Sequence, residues 1–120
     1  MARARIPDDV GVAAVDRAVR EAAARDDYAA AVRYTLQLLA EHSSGNTLEV
    51  RVPPFGAVQC IEGPRHTRGT PPNVIETDAE TWLALATGAI SWSEALASGS
   101  VLASGARADL TGHVPVLRRP

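Results

Sequence analysis

The sequence predicts an α+β fold, on three observations. Apolar residues recur at helical spacing through residues 8–42. The period then switches to strict alternation from Thr47 to Val52. Two helix-start signals follow the strand region, at Thr77 and Ser91. Strands grouped in the middle, with helices before and after, fit segregated α+β layers rather than alternating β-α-β units. The 120 residues suit one domain, with two helices in 8–42 and the sheet and remaining helices in 47–117.

The first helix is expected over residues 8–25. Pro7 suits a first helical turn, and Asp8 and Asp9 complement the positive end of the helix dipole. Val12, Val15, Val19 and Ala22 form its expected apolar stripe. Asp26 and Asp27 interrupt the pattern and can cap a second helix over residues 28–41. Its stripe is Tyr28, Val32, Leu36 and Leu39, with Leu38 beside it and Arg33, Gln37 and Glu41 toward water. The polar loop His42 to Asn46, with Gly45, ends it.

Leu48, Val50 and Val52 alternate with Thr47, Glu49 and Arg51, the pattern of a half-buried strand. Pro53 and Pro54 end that strand, and Phe55 to Ile61 continues as a second, making a hairpin. Residues 62–72 form a loop rich in Gly and Pro, and Asn73 to Thr77 is a third strand. Thr77-Asp78-Ala79-Glu80 reads as a capping box. It opens a helix that buries Ala79, Trp82, Leu83 and Ala86 and stops at Gly88. Ser91-Trp92-Ser93-Glu94 repeats the box for a short helix that buries Ala95 and Leu96 and ends at Gly99. Val101 to Ser104 is a final strand. Ala108 to Val114 is expected as a last short helix with Leu110 and Val114 inward, limited by Pro115.

Composition excludes several functions. Twelve basic residues, all Arg, face 14 acidic ones, for a net charge of −2. A general nucleic-acid binder would carry a basic excess, so none is expected. The single cysteine, Cys60, excludes an internal disulfide framework and a cysteine-based zinc site. The chain carries no apolar stretch near the roughly 18–20 residues of a membrane span and no signal-peptide pattern at Met1 to Pro7. A cytoplasmic location is expected.

Residues with chemical potential are few. Cys60 lies in a strand-like run and reads as a small buried hydrophobe rather than a nucleophile paired with His66. His42, His66 and His113 lack a metal-ligand spacing, so no metal or cofactor is expected. The loop Arg65-His66-Thr67-Arg68-Gly69 could hold a carboxylate or phosphate, or simply pair with Glu62 or Glu76. Capping explains Asp78 and Glu80. No P-loop, GxGxxG, GxSxG or HExxH is present. Trp82 and Trp92 are the largest apolar groups. The short helices around them are rich in Ala, which occurs 22 times, and thin side chains leave room beneath. Such room could be a ligand pocket or a filled core.

The stretch from Asn73 to Gly105 carries a recognisable order. A strand is followed by a capped helix ending Trp82-Leu83-Ala84-Leu85-Ala86-Thr87-Gly88. Next come a short helix with Ala95 to Gly99 and a strand from Val101 to Gly105. This order resembles the sterol carrier protein type-2 family, in particular its bacterial sterol carrier orthologue branch. The resemblance implies a sterol-carrier-like α+β fold: a small mixed or antiparallel sheet with helices on one face. It further implies an apolar tunnel between them for acyl chains or sterols. By position it implies Trp82, Leu83 and Ala86 as walls, with Leu96, Leu102, Leu110 and Val114 as further candidates. Leu36, Leu39, Val50 and Phe55 are added as candidate ligand contacts, and the loop residues Arg65, His66 and Arg68 as a candidate polar anchor.

The function expected on this basis is non-enzymatic binding or carriage of an apolar small molecule. The alternatives are an accessory domain with a filled core, dimeric through its first two helices, and a small enzyme subunit using the Arg65-His66-Arg68 loop.

Overall fold

A computed structural model describes residues 4–20, 24–63 and 73–118. The element order is α1 (Asp8–Arg20), α2 (Arg25–His42), β1 (Leu48–Val52), β2 (Gly56–Cys60), β3 (Asn73–Thr77), α3 (Ala79–Thr87), α4 (Trp92–Ser98) and β4 (Val101–Ser104). The fold is α+β, as expected.

The four strands form one mixed sheet in the order β2-β1-β3-β4. β1 and β2 form the expected antiparallel hairpin, with Val50 opposite Val58. β1 and β3 run parallel, with Val50 beside Ile75. β3 and β4 are antiparallel, with Glu76 opposite Leu102. The period of two sorts the side chains by face. Leu48, Val50, Val52, Cys60, Ile75, Thr77 and Val101 are buried on the helix-covered face. Arg51, Ala57, Gln59 and Leu102 are exposed on the other.

The helix boundaries follow local chemistry. The Asp78 side chain accepts from Thr81 N at 2.7 Å and caps α3, while Gly88 closes it at φ 83°. The cap is therefore Asp78 and not Thr77, whose hydroxyl donates to Ser100 O at 2.8 Å. The Ser91–Glu94 capping box forms as expected, and Gly99 ends α4 at φ 77°. The Asp26–Asp27 cap does not form. α2 starts earlier, behind Ala24, and both aspartates sit in its first turn.

Three expectations about packing are corrected. The buried stripe of α1 is Gly11, Ala14, Val15 and Ala18; Val12 and Val19 face outward. Ala22 lies outside the described residues. α1 buries its small side chains because it lies close against α2. No Cβ fits at Gly11, where the Tyr34 ring already sits. Second, Leu96 is exposed; Trp92 and Ala95 take the inward side of α4. Third, residues 108–114 are turns rather than a helix. Asp109 accepts from both Thr111 N and Thr111 Oγ1, and Gly112 takes a left-handed φ of 81°. That local bonding competes with helix formation. Leu110 is nonetheless fully buried.

Candidate functional site

The space between sheet and helices is occupied by side chains. Trp82, Leu36, Leu39, Leu85, Leu48, Val50 and Ile75 are all buried there. The Trp82 indole N–H donates to Thr35 Oγ1 at 2.8 Å, and the Thr35 hydroxyl donates to Ala31 O at 2.7 Å. The largest core side chain is thus also polar-satisfied. Room for a ligand lies instead in surface grooves.

One groove, lined largely by apolar residues, runs between α2 and β2. Its volume is about 400 Å³. Leu36 and Phe55 line it, joined by Ile6, Gly56, Ala57 and Val58. α2 contributes Leu36 because its apolar stripe faces the sheet. β2 contributes Val58, which shares the inner face with Val50. Gly56 leaves the floor open: a Cβ there would meet only Leu36 Cδ1 at 3.5 Å and Arg33 Cγ at 3.7 Å. Among the described residues, the charged member of the lining is an arginine. Arg33 lines the groove, and the Arg25 guanidinium sits 5.3 Å from the Phe55 ring centroid.

A further wall is the segment of residues 4–7 before α1. Ile6 N–H donates to Gln37 Oε1 at 2.8 Å, and Gln37 Nε2 donates back to Ile6 O at 3.0 Å. Arg5 donates to both Glu41 oxygens, at 2.6 and 3.0 Å. The Tyr34 hydroxyl donates to Asp8 Oδ1 at 2.8 Å. These bonds hold the Asp8 carboxyl below its usual range, chiefly through Tyr34 and then Arg5. Arg5 does the same to Glu41. Burial and the Asp8 contact push the Tyr34 phenol up to about 12.

A family model described as bacterial SCP ortholog (SCP, sterol carrier protein) matches residues 24–116. The chain belongs to this sterol-carrier-like family. No curated protein matches it. Membership points, at the level of the family, to a lipid-binding or carrier role in a family that is generally non-enzymatic. The matched span begins at the start of α2. The groove walls from α2 and β2 are therefore part of the sterol-carrier-like core, whereas Ile6 and α1 precede it.

The other anticipated wall residues are dispersed. Leu39, Val50, Trp82 and Ala86 belong to the core. Leu83 lines a second groove of about 420 Å³ between α1, α2 and α3, whose rim carries both Arg20 and Glu80. Leu110 and Val114 line a third recess of about 440 Å³, with a polar rim of Ser91, Ser93, Glu94 and Thr111. Leu96 and Leu102 are 43% and 70% exposed and face away from the interior. Arg65, His66 and Arg68 lie outside the described residues.

Sequence reasoning missed Ile6, Gln37, Gly56 and Val58. The available signal was Ile6, an isolated apolar residue between Arg5 and Pro7. Its partner, Gln37, lies 31 positions away.

The remaining reactive side chains have structural surroundings. Cys60 is buried, and burial pushes its thiol up to about 11. Ser43 Oγ and His113 Nδ1 lie 2.7 Å apart and tie the C-terminal loop to the end of α2. Among the described residues, no cluster of three His, Cys, Asp or Glu could hold a metal. No helix among them is long and apolar enough to cross a membrane.

Proposed function

We propose that this protein is a non-enzymatic carrier that binds a single apolar chain, such as a lipid acyl tail, in the groove between α2 and β2. The observation that carries this reading is the groove itself. It combines apolar walls from Ile6, Leu36, Phe55 and Val58 with a cationic rim at Arg33 and Arg25. An apolar lining with a few placed polar groups is the usual form of a small-molecule site. The tail would lie against Leu36, Phe55 and Val58, and a polar or anionic head would reach the arginines.

Burial of apolar surface drives such binding, at roughly 0.8 kcal/mol per buried CH₂. Affinity therefore climbs with chain length until the groove is full. Titration of fatty acids of increasing length, followed by displacement of a fluorescent acyl probe, tests this. A flat length dependence contradicts the proposal.

A second reading is an accessory domain that carries no ligand and associates through its first helices. Two features favour it: the filled interior around Trp82, and the outward valines Val10, Val12 and Val19 on α1. Concentration-dependent association without any acyl binding would select this reading.

A further inference from the structure

We propose that the segment of residues 4–7 is an openable wall that controls ligand exchange in the α2–β2 groove. The inference rests on that groove being the ligand site.

The walls of the groove are unequal. Leu36 belongs to an 18-residue helix, and Val58 to a strand paired along its whole length with β1. The Ile6 wall is lighter: Ile6 packs half-buried against the core and Pro7 O accepts from Gly11 N, but residues 4–7 belong to no helix or strand. The segment is held to α2 by side chains: the two Ile6–Gln37 bonds and the Arg5–Glu41 pair. Both members of that pair are well exposed, with 46% and 40% of their side chains open to water. Exposed ion pairs are weak and screened by salt. Segments held by few apolar contacts open at a small fraction of the global unfolding free energy.

Opening this segment removes Ile6 from one side of the groove and leaves Leu36, Phe55 and Val58 in place. The sheet and helical core need not move. A bound tail is thus enclosed by a wall that comes away without unfolding the domain, which suits loading and release.

The test uses cis-parinaric acid as the probe in stopped-flow dissociation. Neither Arg5 nor Glu41 lines the groove, so Arg5→Ala and Glu41→Ala loosen the wall without altering the lining. Each is expected to raise the dissociation rate about two- to fivefold, with unchanged far-UV circular dichroism. Added salt should speed dissociation from the unmodified protein more than from the two variants, in which only the head-group contacts at Arg33 and Arg25 remain to be screened. The Ile6 amide should also exchange with solvent deuterium much faster than the core amide of Leu36. Gly56→Val, which places a branched side chain against Leu36 and Arg33 inside the groove, separates the two proposals. If it abolishes probe binding while Arg5→Ala and Glu41→Ala leave dissociation unchanged, the groove stands and the openable wall is overturned. If it leaves probe binding intact, no ligand lies behind the segment and both fall. An Ile6 amide that exchanges as slowly as Leu36 likewise overturns the openable wall.

Discussion

Trp82 donates its indole N–H to the Thr35 hydroxyl at 2.8 Å, in a position where neither residue is exposed to solvent. The bond crosses between α3 and α2 at the centre of the core. It also locates a strong constraint on function. Where the family resemblance implies a tunnel, this chain places a tryptophan whose polar atom already has a partner.

Removing the acceptor should therefore be costly. Thr35→Val keeps the shape but leaves the indole N–H buried and unpaired. The expected loss is about 1–3 kcal/mol in urea unfolding. Thr35→Ser keeps the hydroxyl and should lose less. Equal stability of Thr35→Val and the unmodified protein would mean that the indole finds water.

Gly11 gives an inverted helix-propensity result. Gly→Ala inside a helix normally stabilises by about 1 kcal/mol. Here the new methyl would occupy the space of the Tyr34 ring. Gly11→Ala is expected to destabilise by about 1–3 kcal/mol, the range for overpacking. Thermal unfolding of Gly11→Ala measures the sign directly, and in a Tyr34→Ala background, itself destabilised by the lost core side chain, the further cost of Gly11→Ala should be much smaller.

Docking of α1 should depend on pH at both extremes. The Asp8 and Glu41 carboxyls are held below their usual range in the folded state. Their contribution is complete above the ordinary carboxylate pKa of about 4 and is lost as pH falls through the lower folded values. The Tyr34 phenol is held at about 12, above its usual value. Its contribution is complete below about pH 10 and disappears as pH rises through 12. Amide spectra of α1 recorded against pH should show loosening in acid, and Asp8→Asn should remove part of that acid response. An α1 insensitive to pH down to 2 would contradict the Tyr34–Asp8–Arg5 linkage.

Much of this fold can be read from local sequence. Alternation in Leu48 to Val52 identifies β1, and Ser91–Glu94 identifies the start of α4, because both signals act within a few residues. Other features depend on distant partners. The α1 stripe runs through Gly11, Ala14 and Ala18 rather than the valines because close approach to α2 favours small side chains. Leu102 faces outward because pairing with Glu76 places it on the uncovered face of the sheet. The groove shares this dependence. Leu36 and Phe55 stand out as apolar residues, but Ile6 becomes a wall only through Gln37, far along the chain. Whether Trp82 lines a tunnel or fills the core stays open in the sequence, because spacing alone cannot say whether a buried aromatic lines a space or fills it.

The central claim is that an apolar chain binds between α2 and β2, and Gly56→Val tests it most directly. A side chain at Gly56 points toward Leu36 and Arg33 without a backbone clash, so it narrows the groove against its apolar wall while the strand persists. Titration with cis-parinaric acid, alongside circular dichroism, compares Gly56→Val with the unmodified protein. The account predicts saturable binding to the unmodified protein and its loss in a folded Gly56→Val. Equal affinity for both would contradict it.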